Sequence, residues 1–233
     1  MSSSKPIDLN CDMGELEDSA HEAALMAYIT SANVACGAHA GDDAIMDRTV
    51  LMALHRGVKI GAHPGYPDRP NFGRLEMPLS PEEIAATVHQ QILRLEAIVK
   101  RLGGSIAHVK PHGALYNVAV KNAGVARAIG EGVARWNAGA LVFGLAGSPM
   151  LDVWRGMGLT PAGEGFADRR YEPDGTLRNR KFDDALIKVP AEAAAQAVRL
   201  AESGNVQTIC VHGDTPGSVE ILRACREALL LKE

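Results

Sequence analysis

The sequence predicts an α/β protein, an irregular seven-stranded (β/α) barrel in one domain over residues 1–233. Three observations point there. Strand-like runs alternate with helix-like ones, an order that builds a mostly parallel sheet. Seven strand-like segments each end in a cluster of Asp, Glu, His, Lys or Gly. Barrel enzymes collect their site at the carboxyl ends of their strands. The length of 233 residues suits one barrel domain, and seven strands fall one short of the standard eight.

In chain order the strand segments are 7–15 (IDLNCDMGE), 32–42 (ANVACGAHAGD), 58–74 (VKIGAHPGYPDRPNFGR) and 108–117 (HVKPHGALYN). Segments 141–148 (LVFGLAGS), 160–170 (TPAGEGFADRR) and 208–214 (TICVHGD) follow. Helices are expected between them. Residues 43–56 form one that stops at Gly57. Residues 81–102 form the clearest, with Ser80 as cap, Pro81 at its first position and Glu83 completing a capping box. Its apolar residues Ile84, Val88, Ile92, Leu95, Val99 and Leu102 recur every three or four positions. Residues 122–136 read as a weaker helix, because Gly130 and Gly132 interrupt it. Helices over 149–157, 191–203 and 216–231 complete the pattern. Residues 64–79 and 165–182, rich in Gly, Pro, Arg and Asp, read as site-forming loops.

Composition narrows the function classes. The chain is 46% hydrophobic and 22% charged, with a formal charge of −4. No Lys/Arg block stands out, which argues against nucleic acid and anionic membrane as partners. No apolar run reaches the ~20 residues of a membrane span. Residues 1–6 lack the apolar core of a signal peptide. Cys11, Cys36, Cys210 and Cys225 show no CxxC spacing and read as reduced thiols of a cytoplasmic protein.

Strand alternation sorts the polar residues by face. Asp8, Asn10 and Asp12 share one side of the first strand. His108, Lys110 and His112 share one side of the fourth, and Cys210, His212 and Asp214 one side of the last. Glu164 and Asp168 flank Phe166 in the sixth. Carboxylates, imidazoles and a lysine facing one cavity shift each other's ionisation and support acid–base chemistry. Lys110 is notable, since a strand lysine seldom faces a core without a partner. His39 and His63 end strand runs beside Gly, positions suited to ligation or proton transfer. Asp8 and His108 read as structural, and His21, His55 and His89 as helix residues. Among Arg74, Arg169 and Arg170 in the long loops, at least one can clamp a carboxylate or phosphate. There is no P-loop, GxGxxG, GxSxG or HExxH motif. Asp12, His39, His63 and His212 could together hold a metal, without matching a known metal spacing.

The segments DLNCDMGE, TSANVACGAHAGD, VKIGAHPGYPDRPNFGR, HVKPHGALYN, GLAGSPML, EGFADRRYEPDGTL and CVHGDTPGSV together resemble the LamB/YcsF family, whose proteins form the A subunit of 5-oxoprolinase. They run in order over nearly the whole chain. Two departures stand out. Glu15 is followed by Leu16 where the family continues with Gly, and Ala38 stands where the family often has Phe. The resemblance implies a barrel related to the glycoside hydrolase/deacetylase superfamily. It implies ATP-dependent opening of 5-oxoproline to L-glutamate with ADP and phosphate released, ATP being a co-substrate accompanied by Mg. It also implies partner subunits B and C and a cytoplasmic complex.

On that basis the catalytic set is Asp12, Lys110, His112, Glu164, Asp168, His212 and Asp214. The substrate-binding set is Asn10, Glu15, Asn33, Gly37, His39, His63, Gly65, Arg74 and Arg169. Asp12 or His112 is the expected base, Lys110 stabilises developing negative charge, and Arg74 or Arg169 holds the substrate carboxylate. Turns at Gly37, Gly61, Gly65 and Gly213 would bring backbone amides to the ligand. The alternative is an ATP-independent, metal-dependent amidase or deacetylase with His39, His63 and Asp12 as ligands. A third reading, a substrate-binding scaffold without catalysis, conflicts with so many ionisable residues at strand ends.

Overall fold

The computed structural model describes residues 7–230. The signal-peptide expectation for residues 1–6 and the helix end at 231 lie outside them. The strands are β1 (Asp8–Met13), β2 (Ser31–Ala35), β3 (Lys59–His63), β4 (Ile106–Val109), β5 (Leu141–Leu145), β6 (Thr160–Phe166) and β7 (Thr208–Cys210). Each is parallel to its neighbours, and β7 pairs with β1 to close a seven-stranded barrel.

Around it lie α1 (Ser19–Met26), α2 (Asp43–Arg56), α3 (Pro81–Arg101), α4 (Gly113–Lys121), α5 (Ala123–Trp136), α6 (Pro149–Gly156), α7 (Pro190–Glu202) and α8 (Ser218–Leu230). The capping box on α3 forms as its sequence predicts, with Ser80 and Glu83 bonding each other's backbone. Gly132 faces α3, where a Cβ would come within 2.5 Å of the Ala85 carbonyl. The glycine that weakens α5 locally is therefore what lets two helices touch. Helix α4 is an addition to the predicted pattern. Among the described residues no helix is long and apolar enough to cross a membrane.

Each strand turns one face outward to the helices and one into the barrel. Leu9, Cys11 and Met13 of β1 join the apolar layer beneath the helices. All four cysteines are buried and unpaired. The inner face is polar: Asn10, Asn33, His108, Lys110, Glu164 and Thr208 are all buried there. Such a core is stable only if its groups satisfy one another, and they do so in a chain. Asn10 Nδ2 donates to Glu164 Oε1 (3.1 Å) and Thr208 Oγ1 (2.6 Å). Asn33 Nδ2 donates to Asn10 Oδ1 (2.8 Å) and Asp12 Oδ1 (2.9 Å). His108 Nε2 donates to Asn33 Oδ1 (2.7 Å), and its ring stacks on Phe143 at 4.1 Å. His108 is thus structural, as expected. So is Asp8, which bonds Ser31, Thr30 and Thr208 and pairs with Lys59 at 3.3 Å.

Pro111 does not disturb the alternation of the fourth segment. Lys110 N donates to Ala62 O (2.9 Å) and His112 N to Pro64 O (2.8 Å), so the β3 side of the ladder continues past the proline. The last strand is shorter than expected and ends at Cys210, leaving His212 and Asp214 on the following loop.

Candidate active site

Lys110, just beyond β4, points into the carboxyl end of the barrel. Its Nζ lies 2.8 Å from Asp12 Oδ1, 3.0 Å from Glu164 Oε1, 3.1 Å from Cys210 Sγ and 3.3 Å from Asn10 Oδ1. Burial alone would strip its proton, but Asp12, Cys210 and Glu164 hold its ionisation well above the usual range. Those neighbours favour its ammonium form. An ammonium has three hydrogens, and these four acceptors occupy them. Burial also works against ionised Asp12, yet His63 and Lys110 hold that carboxyl well below its ordinary range.

Beside this ion cluster lies an imidazole group. His63 Nδ1 donates to Lys110 O (2.7 Å), and His112 Nε2 donates to Phe72 O (2.9 Å). Their other nitrogens, His63 Nε2 and His112 Nδ1, face each other at 2.9 Å. Glu15 Oε1 sits 3.2 Å from His112 Nδ1 and 3.0 Å from His39 Nε2, and His39 stacks flat on His112 at 3.7 Å. Burial, then His112, pushes His39 down to about 4, so it is neutral near pH 7. Burial acts likewise on His63, but Asp12 and Glu15 outweigh it and raise its ionisation. Phe72, which supplies the carbonyl for His112, adopts φ 56°, a left-handed conformation unusual outside glycine.

Glu15, His39, His63 and His112 place their ligating atoms within 4.8 Å of one another. Asp12 Oδ2 stands 3.4 Å from His63 Nε2. Imidazole and carboxylate donors fit a borderline divalent cation, and backbone carbonyls fix the rings of His63 and His112, while His39 Nδ1 has no partner. The expected ligands His39, His63 and Asp12 are therefore together, with Glu15 and His112 added.

A cavity of about 450 Å³ opens above these groups. Asp12, His63, Lys110 and Phe166 line its floor, and Tyr116 and His112 its sides. Arg74 and Arg180, both partly exposed, and the buried Arg169 also line it. Asp214 bridges Arg74 and Arg180, the latter at 2.8 Å, tying the loop after β3 to the loop after β6. Arg169 is buried, donates from one terminal nitrogen to Arg178 O (2.6 Å), and keeps its Nε without a partner. Burial and the nearby Arg180 lower its ionisation to about 10, so it remains charged. Asp168 lies outside the cavity. It accepts from the His212 backbone (3.1 Å), His212 Nδ1 (3.0 Å) and Thr215 Oγ1 (2.5 Å), fixing the loop after β7.

Several expectations change in role. Asn10 and Asn33 are wholly buried under Lys110 and Asp12 and support them rather than meeting substrate. Asp214 works as a clamp on arginines. The glycine amides are already committed: Gly37 N donates to Ala40 O (3.0 Å) and Gly65 N to Gln91 Oε1 (3.0 Å). Gly61 lies in β3 against the His108 ring, and Gly213 packs against Leu25. Both ring nitrogens of His112 are engaged, and Asp12 is held by Asn33 and Lys110. Tyr116 and Arg180 were not singled out from the sequence. Tyr116 stands within HVKPHGALYN, and Arg180 within the long loop over 165–182.

The described residues form a closed parallel (β/α) barrel with ionised groups converging at its carboxyl end. The catalytic domain of a peptidoglycan N-acetylglucosamine deacetylase from Eubacterium rectale superposes with a TM-score of 0.54 at 13% identity, over 100% of this chain and 87% of that one. The chain belongs to the LamB/YcsF family, whose model matches residues 7–233. A protein of Methylococcus capsulatus, named as the A subunit of 5-oxoprolinase, is 45% identical over 240 residues, covering 97% of this chain and 92% of its relative. The crystal structure of a lactam utilization protein from Thermus thermophilus matches with a TM-score of 0.89 and 37% identity, over 98% and 97% of the two chains.

Proposed function

We propose that this chain is the lactam-opening subunit of an ATP-hydrolysing 5-oxoprolinase, a hydrolase acting on a cyclic amide. One observation carries the reading. The cavity lining divides its charge between three arginines, Arg74, Arg169 and Arg180, and Asp12 held on the buried Lys110. That division suits a small carboxylate whose reactive carbonyl lies deeper. The relatives' names supply the lactam.

A lactam carbon is a poor electrophile. Transfer of the terminal phosphoryl group of ATP to the lactam oxygen, with Mg, releases ADP and activates the ring. Water then attacks the ring carbon and gives a proton to Asp12. The C–N bond breaks as that proton passes to the departing nitrogen. The resulting acyl phosphate loses phosphate to a second water, leaving L-glutamate. Arg169, with Arg74, holds the substrate carboxylate. Partner subunits B and C complete the enzyme, and four buried unpaired thiols suit a cytoplasmic setting.

The test is formation of glutamate and ADP from 5-oxoproline and ATP, with this chain alone and with both partners. Product only with all three supports the reading. No product from a folded, associated assembly would overturn it.

The His/Glu cluster favours a second reading, an ATP-independent metal-dependent amidase. Asp12, Glu15, His39, His63 and His112 would hold a zinc- or manganese-class cation, which polarises carbonyls and acidifies water when bound. Metal analysis separates the two. Stoichiometric metal, with activity lost on its removal and no need for ATP, selects this reading.

A further inference from the structure

Opening a lactam needs a carrier for the proton that water gives to Asp12. The cavity lining holds three imidazoles, His63, His112 and His212. His63 and His112 have both ring nitrogens engaged, with each other and with backbone carbonyls. His212 differs. Its Nδ1 lies 3.1 and 3.0 Å from the two oxygens of Asp168, and its backbone N–H donates to the same carboxylate (3.1 Å). Asp168 is wholly buried, and His212 and Thr215 outweigh that burial and keep it ionised, so it can only accept. Nδ1 therefore carries a proton. Nε2 makes no hydrogen bond among the described residues and is the nitrogen left to exchange one. The His212 side chain keeps 14% of its surface open toward a ligand, whereas Asp168 keeps none. Phe166 stacks on the ring at 5.4 Å and 16°, which fixes its plane. An Asp12 oxygen and a ring nitrogen of His212 lie within 4.8 Å of each other, a gap that one water spans.

We infer that His212 carries the proton to the departing lactam nitrogen, with Asp168 as its positioning residue. The inference rests on the lactam reading above and names the residue that completes it. Water adds to the ring carbon, and one of its protons goes to Asp12. His212 Nε2 takes that proton through the intervening water and becomes an imidazolium, balanced by Asp168. As the C–N bond breaks, its electron pair stays on nitrogen and the Nε2 proton moves to that nitrogen. The amine departs neutral, and His212 returns to imidazole. Each holder of the proton is a stronger base than the one before, from carboxylate to imidazole to amine. A buried carboxylate on one ring nitrogen fixes which nitrogen reacts and steadies the imidazolium that forms.

Turnover with both partner subunits present tests this, using 5-oxoproline and its thiolactone analogue, in which sulfur replaces the ring N–H. A thiolate leaves without a proton, and a lactam nitrogen does not. His212→Gln should lower kcat for 5-oxoproline about 10²–10⁴-fold with KM largely kept. Its loss on the thiolactone should be at least about tenfold smaller. A role confined to fixing the loop would lower both substrates alike, and that outcome overturns the inference. Near-normal opening of 5-oxoproline by the folded variant overturns it too. Asp168→Asn offers Nδ1 a donor and so turns the ring proton to Nε2. It should show the same bias toward the thiolactone, and equal losses would remove Asp168 from its positioning role. In each of these cases the lactam reading stands, because the wild-type assembly still makes glutamate. If that assembly makes none from 5-oxoproline, inference and reading fall together.

Discussion

Lys110 Nζ lies 2.8 Å from Asp12 Oδ1, and both side chains are almost wholly buried at the bottom of the barrel's carboxyl end. The same ammonium holds Glu164 at 3.0 Å. Removing one member of such a buried ionic group leaves the others uncompensated.

Lys110→Met should therefore cost stability as well as activity, by about 3–5 kcal/mol. Urea unfolding measures the first, and glutamate formation with partners present the second. Asp12→Asn removes the proposed base and should lower turnover at least about 10²-fold. Near-normal turnover in both folded variants would take these residues out of the mechanism.

Arg169→Gln tests carboxylate recognition. It lines the cavity and keeps its Nε unpartnered. The expected outcome is a KM for 5-oxoproline raised at least about tenfold with kcat largely kept, since a charged hydrogen bond is worth about 1.5–3 kcal/mol. A reduced kcat at unchanged KM would place Arg169 in the chemical step instead.

Asp168 gives a pH prediction. Burial would raise its carboxyl, but His212 and Thr215 lower it to about 2 from an ordinary 3.8. A depressed carboxyl stabilises the fold above its unfolded value, and that contribution disappears as pH falls through the folded value. About 2 kcal/mol should be present at pH 7 and lost between about pH 4 and 2. Unfolding free energies of wild type and Asp168→Asn should converge over that window. A constant difference from pH 7 to pH 2 would contradict the ionised state of Asp168.

Gly61→Ala tests the inner network. A Cβ there would come within 2.0 Å of His108 Nε2, the atom bonded to Asn33. Overpacking in a closed barrel should cost about 1–3 kcal/mol. Because Asn33 supports Asp12, turnover should fall as well. A melting temperature equal to wild type would show that the ring moves freely.

Much of this was readable along the chain because it is local. The capping box of α3 needs only Ser80 and Glu83, three positions apart. The alternation of Asn10 with Asp12, and of His108 with Lys110, places each pair on one face whatever the sheet does next. Helix α4 lacked such signals. It opens at Gly113 with φ 54°, its cap residue His112 makes no side-chain cap bond, and Val118 and Val120 favour strand locally. Packing decides it, through the buried face of Leu115, Tyr116 and Ala119. Tyr116 stayed hidden for the same reason, since strand alternation does not reach a residue on an unpredicted helix.

By itself, then, the sequence determined the number of strands, their order and which polar residues face inward, because those follow from periodicity within a few residues. Only the tertiary structure decided who meets whom. Closure of β7 against β1 sets Cys210 opposite Asn10, and the barrel's curvature carries Glu164 to Lys110 across the interior. The clamp from Arg74 through Asp214 to Arg180 joins residues up to 140 positions apart. Such pairings depend on closure, stagger and loop packing, which no local pattern encodes. They turn a list of ionisable residues into a carboxylate held on a buried ammonium, in a cavity lined by three arginines.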